Sequence, residues 1–476
     1  MLTSLQLDKL AAPKSCRILS PQTRIQMNTD TTTNPKVPGA NIPYQRFLDC
    51  VHCGLCTSSC PTYVETGDEN DSPRGRIHLM RAVVDERLPL TNKVRHHLDL
   101  CLDCRSCETS CPSGVQYGRL LEPFKVDMHR MSTVPEKPSQ PSSPQKPDWF
   151  HRWILHGLFP YRNRMTWALK LARIMQRLKL DRLLETTRLT QRLPARLQRM
   201  QRQLHALKPS SPSLPHHLSA IGKRQATVGL FVGCVADAML RHIHWATIRV
   251  LQQNGCDVII PKQQGCCGAI HYHSAAAEPA AKLMEQNLAA FNVASLDAVV
   301  VNVAGCGAML KDYNHIAKEI SSLIQGDIEG FVNCISDINE FLADLPIQAS
   351  TGRIDATVVY QDACHLQHAQ KIKQQPRQLL NMIPGLTLID CDESELCCGA
   401  AGSYNLTQPK MSDRLGNRKL DHLLASQPDI IASANAGCSL QLQALLKERG
   451  LNIPVVHPIE LLDVSYQNQN WRTVLS

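Results

Sequence analysis

Eight cysteines of this 476-residue chain fall in two copies of one pattern. Cys50-Val-His-Cys53-Gly-Leu-Cys56-Thr-Ser-Ser-Cys60-Pro61 recurs as Cys101-Leu-Asp-Cys104-Arg-Ser-Cys107-Glu-Thr-Ser-Cys111-Pro112. Both copies read C-x2-C-x2-C-x3-C-P, an iron–sulfur run whose fourth cysteine ligates the other cluster where two are present. The short gaps wrap backbone around a cubane, so that three thiolates reach three irons while amide N–H groups point at the sulfides. The proline carries the fourth cysteine away. One [4Fe-4S] cluster is therefore expected on Cys50, Cys53, Cys56 and Cys111, and a second on Cys101, Cys104, Cys107 and Cys60. Structural zinc is the competing chemistry, but zinc sites usually pair two CxxC knuckles across a longer loop.

A second set of cysteines lies in the C-terminal half, which is an internal repeat. Thr227-Val-Gly-Leu-Phe-Val-Gly-Cys234 matches Thr357-Val-Val-Tyr-Gln-Asp-Ala-Cys364. Gly265-Cys266-Cys267-Gly268-Ala269 matches Leu396-Cys397-Cys398-Gly399-Ala400, and Ala304-Gly305-Cys306 matches Ala436-Gly437-Cys438. The offsets are 130, 131 and 132, so one unit is duplicated with almost no drift. Each unit offers four thiols: Cys234, Cys266, Cys267 and Cys306, then Cys364, Cys397, Cys398 and Cys438. Adjacent cysteines make no unstrained disulfide with each other, but both can reach a metal or a docked cluster. These eight are expected to face a shared cleft and to hold a further cluster or form a docking surface. Cys256, Cys334 and Cys391 fall outside the repeated pattern and read as packing residues. His271, His273, His365 and His368 flank the cysteines and read as surface or capping histidines.

The elements that position these groups follow from local pattern. Residues 40–131 form a small helical module. Pro73 suits a helix start, with Ile77, Met80 and Val84 at helical spacing behind it. Arg74 and Arg76 near that start fit a solvated helix end or a charge that tunes cluster potential, with nothing to choose between the two. Asp297-Ala-Val-Val-Val-Asn302 and Pro428-Asp-Ile-Ile-Ala-Ser433 read as buried parallel strands ahead of Cys306 and Cys438. The repeat cysteines thus lie where strands end and helices begin, the edge of an α/β sheet at which ligands collect. The expected architecture is a multidomain α+β and α/β chain, with a helical two-cluster module followed by a duplicated α/β cysteine-rich unit at 226–348 and 349–476. Residues 1–39 lack periodicity and are expected to be disordered. Met27 is an alternative start, and Cys16 ahead of it reads as a stray thiol. Residues 132–225 open with a proline-rich linker, 135–147.

Composition bounds the function. Hydrophobic residues make up 43% and aromatics 5%, which suits an aliphatic α/β protein with ample core material. Of the twenty cysteines, sixteen fall in metal-ligand spacings, which implies reduced thiols and a reducing compartment. No secretory h-region or run of 18 apolar residues occurs, so the cytoplasm is expected. The formal charge of +9 is local: His151–Ser210 holds fourteen Lys/Arg against Asp181 and Glu185, a balance of +12. Trp153, Ile154, Leu158, Phe159, Trp167, Leu169, Leu171, Ile174, Met175 and Leu178 recur there at roughly helical intervals. Such helices either pack on the protein's own domains, the expected reading, or lie on an anionic membrane surface at the inner face of the cytoplasmic membrane. A nucleic-acid role would use the same arginines, but no recognition motif accompanies them, so no nucleic-acid partner is expected.

The order of two cluster motifs and two CCG units resembles the iron–sulfur electron-transfer subunits of membrane-linked oxidoreductases. The CCG element is shared with heterodisulfide reductase, with the iron–sulfur subunit of anaerobic glycerol-3-phosphate dehydrogenase and with lactate-utilisation iron–sulfur proteins. The strongest resemblance is to the glycolate oxidase (glycolate dehydrogenase) iron–sulfur subunit. It rests on Cys50-Val-His-Cys-Gly-Leu-Cys, Ser72-Pro-Arg-Gly-Arg-Ile, Gly265-Cys-Cys-Gly-Ala, His365-Leu-Gln-His-Ala-Gln-Lys and Leu396-Cys-Cys-Gly-Ala-Ala-Gly-Ser-Tyr. It covers residues 43–470, with the basic segment the weakest part. The resemblance implies a complex oxidising glycolate to glyoxylate, with flavin-bearing partner subunits taking the hydride and the clusters passing electrons toward quinone. No Rossmann glycine fingerprint sits in a strand–turn–helix context, so the flavin is expected on a partner and no catalytic residue here. D-lactate or glycerol-3-phosphate service, or a catalytic CCG enzyme, are the alternatives. One departure stands out: Met309 and Gln441 occupy positions where the heterodisulfide reductase relatives complete a C-x-x-C.

Overall fold

The computed structural model describes residues 37–133, 149–178, 194–204, 211–320 and 326–475. The N-terminal stretch expected to be disordered lies largely outside them, as do Met27 and the proline-rich linker.

The N-terminal module is built from short helices around the two cysteine runs. Cys60 precedes the helix Pro61–Thr66, and the helix Pro73–Val84 starts where the proline placed it. Proline suits the first helical turn because its missing N–H has no partner there anyway. Ser72 caps this helix, its hydroxyl accepting from the Gly75 N–H. Ile77 and Met80 turn into a core with Phe47, Leu98, Leu120 and Phe124.

The C-terminal half contains two sheets. β1 (His217–Leu218), β2 (Ala226–Phe231), β3 (Cys256–Ile259), β4 (Ala298–Val301) and β5 (Ile335–Asp337) run in the order β1-β3-β2-β4-β5, and only β1 is antiparallel. β6 (Ala356–Gln361), β7 (Leu386–Ile389), β8 (Ile430–Ser433) and β9 (Val455–Val456) run β7-β6-β8-β9, all parallel. Without β1, the two orders are the same. Val228 pairs with Ala298 and Val358 pairs with Ile430, so the repeat seen in sequence is a repeat of strand register. β4 and β8 are fully buried, as their uninterrupted apolar runs require of strands covered on both faces.

The repeats interlock. The helix Ile338–Ala343, which follows β5, packs on Gln374–Asn381 of the second repeat. The helix Pro458–Tyr466, which follows β9, packs on Arg241–Gln253 of the first. Arg249 clasps Asp463 across that second contact at 2.6 Å. One continuous core runs through both sheets, including Val228, Leu230, Val358, Tyr360 and Ile430. Cys256 is buried within it, Cys391 is half-buried, and Cys334 is buried beside Phe331.

Candidate iron–sulfur centres

The two cysteine runs adopt one backbone course. His52 and Gly54 in the first, and Asp103 and Arg105 in the second, hold the left-handed conformation on either side of the second cysteine. Gly54 does so without strain. A side chain there would meet the Arg74 guanidinium at 2.6 Å, a group that reaches over the loop to bond the His52 carbonyl at 3.1 Å. In the second run the position is Arg105, for which the conformation is unfavourable. Its buried guanidinium offsets this through ion pairs with Asp103 and Glu122, both at 2.9 Å.

The cysteines line two adjoining cavities. Cys50, Cys53, Cys56 and Cys111 line the first, together with Cys107. Cys60, Cys101, Cys104 and Cys107 line the second. The fourth cysteine of each run thus reaches the cavity of the other. The donor sets are all sulfur, four to each expected cluster, which fits [4Fe-4S] ligation. Backbone N–H groups already aim at sulfur: Asp103 N–H at Cys101 Sγ (3.4 Å) and Val115 N–H at Cys111 Sγ (3.5 Å). Tyr117 O–H points at Cys101 Sγ from 3.7 Å. Burial pushes the Cys104 and Cys107 thiols well above their ordinary range.

The arginines separate. Arg74 remains partly exposed, paired with Glu69 at 2.6 Å. Arg76 is fully buried, so a solvated helix end does not describe it. Its Nε donates to the His97 carbonyl at 2.7 Å, and Nη1 donates to Thr62 Oγ1 at 3.1 Å and lies 3.9 Å from Cys60 Sγ. Burial opposes its charge, but Cys101, Tyr117, Cys60 and Asp71 outweigh that and hold it protonated.

In the repeats the sulfurs gather into two quartets. Cys234 Sγ lies 3.2 Å from Cys266 Sγ, and Cys267 interacts with both Cys266 and Cys306. In the second repeat Cys364 Sγ lies 3.8 Å from Cys397 Sγ and Cys398 Sγ 3.0 Å from Cys438 Sγ, with Cys397 joining Cys398. Hydrogen bonds from the neighbouring thiols draw Cys266 and Cys398 well below the ordinary thiol range. Cys234 and Cys364 stand at helix or turn starts after β2 and β6, Cys306 and Cys438 in the first turns after β4 and β8. Gly268 and Gly399 take φ of 90° and 80°, which explains the glycine after each cysteine pair. The first quartet belongs to a core with Phe231 and Tyr313, and the second to separate clusters with Tyr404 and Ala400. The quartets are linked through Asn435, whose Oδ1 accepts from the Gly305 N–H (3.2 Å) and whose Nδ2 donates to Cys438 Sγ (3.3 Å). Met309 and Gln441 are buried, Met309 against Gly268 and Gln441 on Ser412 Oγ at 3.0 Å.

The flanking histidines are interdomain contacts, which corrects their reading as surface or capping groups. His365 Nε2 meets the Asp103 carbonyl at 3.0 Å and His368 Nδ1 meets Thr109 Oγ1 at 3.0 Å. His273 sits between Asp103 (3.3 Å) and Glu122 (3.2 Å), and both carboxylates raise its pKa to about 9 against the effect of burial. His271 stacks on His156 at 4.9 Å. Nothing in local spacing marks Asp103, Glu122 or Asn435. They matter through contacts that only the assembled domains create.

Known protein families match the same regions. A 4Fe-4S dicluster domain matches residues 46–115, a cysteine-rich domain matches 228–311 and again 358–443, and the linker region of the glycolate oxidase iron–sulfur subunit matches 146–204. The chain is 36% identical to the probable glycolate oxidase iron–sulfur subunit of Bacillus subtilis over 87% of its length and 93% of that protein's. It is 34% identical to the glycolate oxidase iron–sulfur subunit of Escherichia coli over 83% and 89%. Lactate utilization protein A of Oceanobacillus iheyensis is 29% identical over 50% of this chain, in the region of similarity, and 96% of its own. Paired cysteine runs, a duplicated cysteine-rich unit and the intervening linker all match, and the chain belongs to the family of glycolate oxidase iron–sulfur subunits.

Proposed function

We propose that this chain is the electron conduit of a complex that oxidises glycolate to glyoxylate, carrying two [4Fe-4S] clusters on Cys50, Cys53, Cys56, Cys111 and on Cys101, Cys104, Cys107, Cys60. The observation that carries the reading is the exchange of fourth cysteines between two adjoining sulfur-lined cavities. When bound, each cluster takes up and releases one electron at a time, which suits a chain that must split the electron pair of a flavin. The chain's own residues supply the thiolates and the buried Arg76 that offsets their negative charge. The quartets Cys234, Cys266, Cys267, Cys306 and Cys364, Cys397, Cys398, Cys438 are proposed to hold a further cluster or to form the docking surface for an electron partner. The similarity of the chain to glycolate oxidase subunits supports glycolate as the substrate, flavin-bearing subunits as donors, and a membrane quinone reached from the inner face of the cytoplasmic membrane as acceptor.

The test is anaerobic purification of the complex through this chain. Iron and sulfide sufficient for at least two cubanes, flavin on another subunit, and glycolate-dependent reduction of a quinone analogue are expected. Zinc with negligible iron in an active complex would refute the cluster assignment. Turnover of D-lactate but not glycolate would transfer the chain to lactate oxidation. Cys60→Ser should damage the cluster of Cys101, Cys104 and Cys107 while sparing that of Cys50, Cys53 and Cys56.

A further inference from the structure

We infer that the segment Trp149–Leu178 seats the chain on an anionic phospholipid surface, with Trp167, Leu171, Ile174 and Leu178 as the inserted row. The helix Arg162–Arg177 has two apolar sides. Met165 and Leu169 pack against Ala238, with Val235 and Met239 beside it, so one side is fixed to the first cysteine-rich repeat. The expectation that these helices pack on the protein's own domains holds for that side and for the stretch before it, where Phe150 and Leu155, with Ile154 and Phe159 beside them, pack on Leu406 of the second repeat.

Trp167, Leu171, Ile174 and Leu178 follow one another at steps of four, three and four, which sets them in one row on the opposite side. Trp167 is 72% exposed, Leu171 62%, Ile174 51% and Leu178 64%. A continuous row of large apolar side chains left in water marks an interaction surface, unlike singly scattered ones.

The accompanying residues point to lipid. Trp149, Trp153 and Tyr161 are also exposed in this segment, which thereby holds three of the chain's five tryptophans. Tryptophan and tyrosine favour the membrane–water boundary, where an apolar ring and a polar edge are both satisfied. Cations stand over these rings: Arg152 on Trp153 at 5.8 Å, Arg164 on Tyr161 at 4.2 Å and Lys170 on Trp167 at 5.2 Å. Each pair sets a positive charge beside an apolar body, the arrangement that meets phosphate headgroups while the ring enters below them. The +12 balance of His151–Ser210 attracts an anionic surface from farther away. An acidic protein groove would answer the charge but gives no reason for ring and cation to be paired repeatedly. No described helix is long and apolar enough to cross a membrane, so the contact lies in the plane of the surface. The inference rests on the membrane location proposed above and names the residues that would achieve it.

The experiment is flotation of the intact complex with phosphatidylglycerol–phosphatidylcholine vesicles, against vesicles of phosphatidylcholine alone. Binding to the anionic vesicles that weakens with salt is expected. Trp167→Ser/Leu171→Ser/Ile174→Ser should lower the bound fraction about tenfold or more with the visible spectrum unchanged, since these side chains support no core. Lys170→Glu should weaken binding with little effect on folding. Absence of wild-type binding at low salt, or equal flotation of the triple variant, overturns the inference. Loss of a partner subunit from the triple variant, with no vesicle binding by the wild type, overturns it too and makes the row a protein interface. Quinone-analogue reduction is measured separately in solution: its failure would bear on the acceptor and leave the flotation result standing.

Discussion

His365 donates through Nε2 to the carbonyl oxygen of Asp103 at 3.0 Å, which ties the residue after Cys364 to the residue before Cys104. Around this bond Leu100, Leu102, Cys104, Cys397 and Tyr404 share one cluster, and Tyr404 O–H donates to the Leu100 carbonyl at 2.8 Å. The second cysteine run therefore faces the second quartet across a closed seam. The first run lies at the surface, with Cys53, Val51 and Leu55 exposed. The first cavity thus carries the exposed Cys53, whereas in the second Cys60 and Cys104 are buried and Cys101 and Cys107 half-buried.

That seam gives a first expectation. Burial, and then the charge of His273, lower the His365 pKa to about 4, so the neutral ring holds the Asp103 carbonyl at neutral pH. His365→Ala would leave a buried carbonyl without its donor, at a cost of about 1–3 kcal/mol. The variant should melt earlier and lose its visible absorbance faster in air than wild type, with Cys50, Cys53 and Cys56 retaining their iron longest. Absorbance decay and melting of anaerobically prepared protein check this.

Arg76 gives a second. It is enclosed with Asp71, which also meets His97 Nδ1 at 2.9 Å. Arg76→Met keeps much of the volume but strands the Asp71 carboxylate, and removing one partner of a buried pair costs about 3–5 kcal/mol. Withdrawing the positive charge beside Cys60 should also shift the reduction potential of the adjacent cluster downward, because net charge is one of its determinants. Arg76→Lys should recover the charge without the full hydrogen-bond set and fall between. A potential unchanged in Arg76→Met would show that the guanidinium is structural only.

The quartets provide a third. Ser at Cys267 and Cys398 replaces a sulfur in the middle of each set while preserving size and the following glycine turn. Iron per chain should fall while the signal of the two clusters on Cys50–Cys111 persists. Unchanged iron and unchanged electron transfer would show that the quartets hold no metal.

Much of this was legible because the information is local. The C-x2-C-x2-C-x3-C-P spacing states which cysteines are near one another, and the constant offset of Cys234, Cys266 and Cys306 from Cys364, Cys397 and Cys438 states that two units share a plan. The apolar runs of β4 and β8 were recognisable because both faces of each strand are covered. What escaped depends on how folded units meet. His365 and Arg105 look like ordinary polar residues until the domains close on them, and Asn435 links two quartets only because the loops before Ala304 and Ala436 abut, with Ala304 N–H donating to the Ala434 carbonyl at 3.1 Å.

The interlocked repeats give a fourth expectation, in pH. His457 caps the helix Pro458–Tyr466, its Nδ1 accepting from the Ile459 N–H at 3.1 Å, and its backbone N–H donates to Glu460 at 2.8 Å. His244 lies nearby in the paired helix, its Nδ1 accepting from Asn302 Nδ2 at 3.0 Å. Burial lowers the pKa of His457 to about 3, aided by the charge of His244, and burial lowers that of His244 to about 4. An unfolded histidine takes its proton near pH 6.5, so between that value and these lower ones the unfolded chain binds more protons than the native one. The stability owed to the neutral rings is thus complete above pH 6.5 and is lost as the pH falls toward 4 and then 3. Each histidine contributes a slope of about 1.4 kcal/mol per pH unit across that window. His457→Asn retains a side-chain oxygen for the cap and removes one titration, so its stability should depend less on pH between 6.5 and 4 than that of wild type. Denaturant unfolding at several pH values measures the difference in slope. Equal slopes in the two proteins would mean that His457 takes up its proton in the folded state as readily as in the unfolded one.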